Sequence, residues 1–185
     1  YLVNPNQRIL EIGCGAGTLI AHLQPYHGVG IDFSTEMIMR ARQHHPEIEY
    51  HQIDVHDLSS IEDQFDVIIF SDTVNDLWDV QRALEQTKRL CTPHTRLILN
   101  FYNHVWQLPL TLAQSLNLAA PMLNQNWLTP EDIDNMLCLA GFESIRSSHE
   151  ILWPLPLGGF ANRYFVKLWP FCNFALSNFV IARPA

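Results

Sequence analysis

The sequence predicts an α/β fold in which an open, mostly parallel twisted sheet is covered by helices on both faces. Strand and helix patterns alternate through the first half of the chain. The stretch FDVIIFS (65–71) is nearly continuous in Val, Ile and Phe, which is typical of a strand buried on both faces. Such alternation favours parallel strand pairing, with the connecting helices packed against both faces of the sheet.

The first half contains five strand patterns, namely RILEI (8–12), GVGID (28–32), IEYHQID (48–54), FDVIIFS (65–71) and TRLILNFY (95–102). Helical patterns lie between them, namely TLIAHL (18–23), STEMIMRARQHH (34–45) and DVQRALEQTKRLC (79–91). Ser34 is placed to cap the second of these helices, because its hydroxyl can accept a backbone N–H of the first turn. His94 is predicted to precede the fifth strand, at the edge of the sheet away from a ligand.

In the second half, the clearest helix pattern covers 126–142. Thr129 is its predicted cap, Pro130 takes the first helical position and Gly141 ends it. The stretches FESIRSSHEIL (142–152) and NFVIARP (178–184) predict two more strands.

The other two parts of the second half lack a clear period. Residues 104–123 are leucine-rich with prolines at the edges and are predicted to be helical in part. Residues 153–171 are crowded with Pro, Gly and aromatic residues. We interpret 1–185 as a single domain in which 104–128 and 151–174 form cap segments on the substrate side. Because the chain begins almost at its first strand, we expect it to be a piece of a longer protein.

Composition and charge exclude several classes of protein. Hydrophobic residues make up 48% of the chain and charged residues 16%, which is typical of a globular domain. The net charge is -8 without a basic stripe, so we expect no nucleic-acid partner. The four cysteines lack paired spacing, which argues against a zinc site and a disulfide framework. There is no signal peptide or membrane-span pattern, so we expect a cytoplasmic protein, with peripheral membrane contact left open.

The glycine turn in ILEIGCGAGTL (9–19) follows the first strand. Ligands of open α/β sheets bind beyond the carboxyl ends of the strands, and this turn lies there. A nicotinamide-binding turn has the spacing Gly-x-Gly-x-x-Gly, whereas here Thr18 holds the position of the last glycine. Glu11 precedes the turn, and its carboxylate suits an ammonium or sulfonium ligand better than a pyrophosphate.

The segment EIGCGAG (11–17) resembles the first motif of class I S-adenosylmethionine-dependent methyltransferases. Asp32 ends the second strand, where the family's acid binds the ribose hydroxyls. Asp54 ends the third strand, where the family's acid meets the adenine amino group and the backbone of the next residue, Val55, takes part. After the fourth strand, backbone atoms of Ser71 and Asp72 match those that contact the amino-acid portion of the cofactor. TRLILNFYN and WLTPEDIDNMLCLAGFE also resemble the family's fifth strand and late helix.

The resemblance covers nearly the whole chain and implies a Rossmann-like class I methyltransferase fold with an antiparallel final strand. It implies that S-adenosylmethionine is the cofactor and S-adenosylhomocysteine the product. The cofactor-binding residues that it implies are Glu11, Gly13, Cys14, Gly15, Gly17, Asp32, Phe33, Ser34, Asp54, Val55, Ser71 and Asp72. The family's helix ahead of the first strand is mostly absent. The stretches FSDTVNDLWDVQ and LILNFYNHVW are similar to methyltransferase modules that accompany family-2 glycosyltransferases, which implies a fused or neighbouring glycosyltransferase domain.

No obligatory catalytic residue follows from the motif, because methyl transfer from a sulfonium depends mainly on proximity and alignment. The candidates for contact with the acceptor are His104, Tyr102, Asp72, Asn75 and Asp76. His56 is predicted to form part of the wall of the adenine pocket.

Aromatic side chains near the predicted mouth of the site permit two interpretations; they are Trp106, Trp127, Trp153, Phe160, Tyr164, Trp169 and Phe171. They form either a second small core or interface, or a surface for an apolar acceptor such as a lipid or a lipid-linked sugar. Two other functions stay open, namely a non-catalytic cofactor-binding module and a nicotinamide-dependent oxidoreductase.

Overall fold

The computed structural model describes residues 3–4, 6–115, 126–150 and 175–185. The described residues contain seven strands, which are β1 (Arg8–Ile12), β2 (His27–Asp32), β3 (Glu49–Gln52), β4 (Phe65–Phe70), β5 (Cys91–Tyr102), β6 (Phe142–Glu150) and β7 (Ser177–Pro184). They also contain five α-helices, which are α1 (Thr18–Leu23), α2 (Thr35–His44), α3 (Val80–Lys88), α4 (Gln107–Ser115) and α5 (Pro130–Leu139). No helix among these residues is long and apolar enough to cross a membrane.

The strands form one sheet in the order β3-β2-β1-β4-β5-β7-β6. The pairs β3–β2, β2–β1, β1–β4 and β4–β5 are parallel, whereas β7 is antiparallel to both β5 and β6. The predicted fold, including its antiparallel final strand, is therefore confirmed. The chain moves outward from β1 to β3 and then returns to place β4 on the other side of β1. The carboxyl ends of β1 and β4 are thus the switch point at which such sheets bind ligands.

Apolar side chains alternate between the two faces of the central strands. On one face, Leu10 and Ile68 belong to a large cluster that includes Leu84 of α3 and Leu137 of α5. On the other face, Ile9 and Val67 pack with Ile20 of α1 and Ile38 of α2. Burial on both sides accounts for the nearly continuous apolar sequence of β4.

Helix α5 begins and ends where its sequence predicts. The Thr129 hydroxyl accepts the Asp132 N–H at 3.1 Å, and the Asp132 carboxylate accepts the Thr129 N–H at 2.9 Å, which forms a capping box. Gly141 follows the helix with a φ of 78°, a left-handed conformation that glycine adopts without strain. The predicted Ser34 cap of α2 is confirmed too, since its side chain accepts the Met37 N–H at 3.4 Å.

Two predictions about β5 and the second half need correction or fall outside the described residues. His94 lies within β5, because this strand begins at Cys91 rather than at 95; a register shift in its pairing with β4 accommodates the extra residues. Of the predicted leucine-rich segment, Gln107–Ser115 is helical. The rest of it up to 123 lies outside the described residues, as does 151–174 with Trp153, Phe160, Tyr164, Trp169 and Phe171.

Candidate functional site

A cavity of about 510 Å³ lies at the carboxyl edge of the sheet, around the switch point between β1 and β4. Nine predicted site residues line it, namely Gly13, Asp32, Phe33, Asp54, Val55, His56, Ser71, Asp72 and Asp76. The structure therefore brings the ends of four separate strands into one cavity wall. The other predicted residues surround this wall or lie beneath it.

The glycine turn is closely packed between two neighbouring segments. Gly13, Gly15 and Gly17 all have positive φ angles, of 72°, 52° and 77°. A Cβ on Gly13 would lie 2.2 Å from the Thr73 hydroxyl, and one on Gly17 would lie 2.1 Å from the Tyr50 hydroxyl. A Cβ on Gly15 would meet nothing within 4 Å. The three glycines are therefore needed for backbone conformation, and two of them also for close packing.

Glu11 lies beneath the turn, and Cys14 is a buried residue of the turn itself. The Glu11 side chain is 2% exposed, and its carboxylate accepts the Ile20 N–H of α1 at 3.1 Å. Burial raises the pKa of Glu11 to about 7, although the Ile20 N–H opposes this rise. Glu11 therefore anchors the first turn of α1 behind the glycine turn; its predicted contact with a cofactor stays a prediction.

Asp32 joins the glycine turn to the start of α2. Its carboxylate accepts the Gly15 N–H at 3.0 Å and the Ser34 N–H at 2.8 Å. Because a carboxylate offers about four acceptor positions, Asp32 keeps the capacity to bind a ligand in the cavity. Ser34, for its part, caps α2 rather than lining the cavity.

Asp54 lies in the turn that follows β3, which ends two residues earlier than its sequence predicts. Its Oδ1 accepts the backbone N–H of His56 at 2.9 Å and lies 2.5 Å from the Nδ1 of His56. The backbone bond is the main cause of a lowered pKa of Asp54. His56 is only 9% exposed, lines the cavity as predicted, and stacks on Trp78 with ring centroids 4.2 Å apart.

Trp78 is a cavity residue that the sequence does not single out. Its side chain is 74% exposed, and it faces His56 from the segment between β4 and α3. The one available signal was its position in the stretch that follows β4, since residues there reach the carboxyl edge of the sheet.

Asn75 makes two structural hydrogen bonds, and its predicted contact with an acceptor stays a prediction. It is 1% exposed; its side-chain oxygen accepts the Tyr102 N–H at 2.8 Å, and its amide donates to the Asn126 carbonyl at 2.7 Å. Because both polar atoms are bonded to backbone, Asn75 fastens the loop after β4 to β5 and to the segment before α5.

The remaining acceptor candidates lie near the end of β5. Tyr102 is half-buried. Burial is the main cause that raises the pKa of its phenol, and the negative charges of Asp72 and Asp76 add to this rise. His104 is exposed in the short turn His104–Trp106 and does not line the cavity. Asp72 and Asp76 do line it, so they are the better placed of the predicted acceptor residues.

The fold and the cavity define a class I methyltransferase-like α/β domain, with a glycine turn after β1 and acidic side chains at the end of β2 and after β3. The chain belongs to the methyltransferase domain family, whose model matches residues 3–148. The predicted family resemblance is thereby confirmed.

Two curated relatives are methyltransferases. The chain is 26% identical over 160 residues to a ubiquinone biosynthesis O-methyltransferase of Azorhizobium caulinodans, covering 80% of this chain and 63% of that protein. It is 27% identical over 110 residues to a 2-phytyl-1,4-naphtoquinone methyltransferase of Trichormus variabilis, covering 53% of this chain and 48% of that protein. The chain thus spans less than two thirds of the length of either relative.

The fold also matches solved structures. A magnesium protoporphyrin IX methyltransferase from Synechocystis with bound S-adenosylhomocysteine superimposes with a TM-score of 0.69. The match covers 98% of this chain and 75% of that one at 19% identity, so it shows a shared fold.

Proposed function

We propose that this domain binds S-adenosylmethionine in the cavity and transfers its methyl group to a small-molecule acceptor, with S-adenosylhomocysteine as the product. The observation that carries this proposal is the position of Asp32 and Asp54. Asp32 ends β2 and Asp54 follows the adjacent strand β3, and both line the cavity that the glycine turn borders. Two carboxylates at these points suit the hydroxyls of a ribose and the amino group of an adenine.

The charge of the cavity supports a cationic cofactor. Four carboxylates line it, those of Asp32, Asp54, Asp72 and Asp76, and the described lining residues include no Lys or Arg. A sulfonium and an ammonium group are attracted by such a wall, whereas a pyrophosphate is repelled by it. This argues for S-adenosylmethionine and against the nicotinamide alternative.

In this proposal, the residues of the chain mainly hold and align the reactants. Asp32 binds the ribose and Asp54 with Val55 the adenine, while the glycine turn, with Glu11 beneath it, holds the methionine portion. S-adenosylmethionine supplies an electrophilic methyl group on a good leaving group, so alignment accounts for much of the rate. A base is required only if the acceptor must lose a proton.

Asp32→Ala tests the cofactor proposal. The substitution removes the ribose contact and the anchor of the Gly15 N–H, so we expect affinity for S-adenosylhomocysteine to fall at least about tenfold, or roughly 1.4 kcal/mol. Isothermal titration calorimetry measures the change. Asp66→Ala is the matched control, because the Asp66 carboxylate accepts the Arg8 N–H at 2.8 Å at the opposite edge of the sheet.

Unchanged affinity in Asp32→Ala would count against this site. If the unsubstituted protein bound NADH and not S-adenosylhomocysteine, the oxidoreductase alternative would replace the proposal. A protein that binds the cofactor but transfers no labelled methyl group in a single turnover would be the non-catalytic module.

For the acceptor, we propose an apolar small molecule, such as a lipid or a lipid-linked sugar. Two observations support this class. The Trichormus variabilis relative is named for a phytyl-substituted acceptor, and exposed apolar side chains occur at Phe33 and Trp78 in the cavity wall and at Leu112 on α4. Peripheral membrane contact and a neighbouring glycosyltransferase domain belong to the same proposal.

Co-sedimentation with phosphatidylcholine vesicles tests the apolar surface. We expect association that persists at high salt. A chain with net charge -8 is not attracted to anionic lipid, so its association would come from apolar contact, which salt does not screen. Trp78→Ala should weaken vesicle binding. Tyr26→Ala should not, because it removes an aromatic ring that is 79% exposed but lies outside the cavity wall. Absence of vesicle binding together with turnover of a water-soluble acceptor would refute the apolar-acceptor proposal.

A further inference from the structure

We propose that Asn100 is a positioning residue that holds Asp72 against the amino-acid portion of the bound cofactor. This inference rests on the proposed function, since it assumes that the cavity binds S-adenosylmethionine. Asn100 is not part of the glycine motif or of the acidic positions that resemble the family. Its role follows from how β5 contacts the turn after β4.

Asp72 has a backbone conformation that needs external support. Its φ is 53°, in the left-handed region that residues with a Cβ rarely adopt. Such a conformation is strained and persists where the surrounding structure determines it. Asp72 also lines the cavity, so the strain occurs at the site itself.

Asn100 supplies the support through both of its side-chain polar atoms. Its Oδ1 accepts the Asp72 N–H at 2.9 Å, and its Nδ2 donates to the Asp72 Oδ1. Asn100 is 8% exposed and pairs with Phe179 of β7, so the sheet holds its backbone on the side away from β4. The two bonds therefore fix both the backbone and the carboxylate of Asp72 from a rigid element.

The sheet order indicates which end of the cofactor Asp72 meets. Asp54 follows β3 and Asp72 follows β4, and these strands are three spacings apart, or about 14 Å. With the adenine at Asp54, the opposite end of an extended cofactor lies at Asp72. A carboxylate oxygen accepts more than one hydrogen bond, so Asp72 keeps acceptor capacity for the ammonium group at that end.

The Thr73 hydroxyl ties the same turn to β1. Its single O–H is shared between the Ile12 carbonyl at 3.2 Å and the Ser71 carbonyl at 2.9 Å. The turn at Asp72 is thus fastened from β1 on one side and from β5 on the other. Thr73 contacts backbone carbonyls, whereas Asn100 contacts both the backbone and the carboxylate of Asp72.

The test compares two ligands that share the nucleoside but differ at the amino-acid end. S-adenosylhomocysteine carries that portion, whereas 5′-methylthioadenosine lacks it. Asn100→Leu removes both bonds at similar volume, so we expect affinity for S-adenosylhomocysteine to fall about tenfold. Affinity for 5′-methylthioadenosine should stay within about twofold in the same titration, because Asp54 and Asp32 are unaffected.

Thr95→Val is the matched control on the same strand. It removes the buried hydroxyl that bonds the Phe65 carbonyl at the other end of β5, so both affinities should be unchanged. If Asn100→Leu does not fold, Asn100→Ser provides the second variant, since a hydroxyl is too short to make both bonds and should give the same selective loss.

Equal losses for both ligands, or no loss for either, would overturn the positioning role of Asn100. Failure of the unsubstituted protein to bind either ligand would instead refute the proposed function. The two failures are therefore distinguishable.

Discussion

Three buried ionisable side chains, Glu11, Cys14 and Tyr50, lie beneath or beside the glycine turn, and burial raises the pKa of each. It raises that of the Glu11 carboxyl to about 7, that of the Cys14 thiol to about 12 and that of the Tyr50 phenol to about 12. The thiol and the phenol are therefore neutral near pH 7, whereas the Glu11 carboxyl changes its charge around that pH. The charge beneath the glycine turn consequently depends on whether Glu11 is ionised.

Glu11→Gln should remove a pH dependence of stability. The native pKa of about 7 lies above the ordinary 4.5, so between these values the folded state binds more protons than the unfolded state. The free energy of unfolding therefore falls as pH rises from about 4.5 to about 7 and is level above that range. Gln stays neutral and keeps an oxygen for the Ile20 N–H, so this variant should lack that fall.

At about pH 8, we expect Glu11→Gln to be more stable than the unsubstituted protein by up to about 3 kcal/mol. Urea denaturation at about pH 5 and about pH 8 measures both quantities. Glu62→Gln, an exposed matched change, should leave the slope as it is. An unaltered slope in Glu11→Gln would show that burial does not raise the pKa of Glu11.

At the level of elements, α5 connects two parts of the large core cluster. It packs on α3 and β6, and Ile133 and Leu137 are fully buried there. Lys88 at the end of α3 donates to the Gly141 carbonyl and lies 4.9 Å from the centre of the Phe142 ring. The Lys88 contacts lie at the end of α5 away from the cavity, so this end matters for stability more than for binding.

At the other end of α5, Thr129→Ala should lower stability without weakening cofactor binding, because Thr129 caps the helix and does not line the cavity. Loss of the capping oxygen leaves the Asp132 N–H without its partner, which costs about 1 kcal/mol. Urea denaturation measures the loss, and Thr129→Ser is the control because it retains the hydroxyl. A change in the affinity for S-adenosylhomocysteine would indicate that α5 also shapes the cavity.

At the level of the whole molecule, the sheet order accounts for the place and the charge of the cavity. The outward run from β1 to β3 and the return to β4 leave a crevice that adjacent helices do not fill. The ends of β2, β3 and β4 contribute the acidic side chains of Asp32, Asp54 and Asp72, which suit a cationic nucleoside. The family of the domain follows from this arrangement and the matching family model. The choice of acceptor depends instead on the residues at the outer rim of the cavity.

Much of the fold was predictable because its signals are local. The apolar runs, the caps at Ser34 and Thr129 and the glycine after α5 each depend on a few neighbouring residues. The rule that ligands bind at the carboxyl ends of parallel strands then placed Asp32, Asp54 and Asp72 at one edge. This much required no tertiary coordinates.

The contacts that shape the site could not be predicted in the same way. Asn75 was predicted to contact the methyl acceptor because it follows β4. Its side-chain amide, however, is hydrogen-bonded to the backbone of Tyr102 and Asn126 across the fold. Asn100 is 28 residues from Asp72 in the chain, and no local pattern indicates that they are bonded. The stacking of Trp78 on His56 likewise joins two separate loops.

The sequence by itself determined the class of domain, the order of its elements and the edge of the sheet that binds a ligand. The tertiary structure alone decided which polar side chains face the cavity and which are consumed by backbone groups. The physical reason is that strand and helix formation depends on local periodicity, whereas hydrogen-bond partners depend on the distances that packing establishes between strands. In this domain, Asn75 and Asn100 acquire their roles only when β4 and β5 pair.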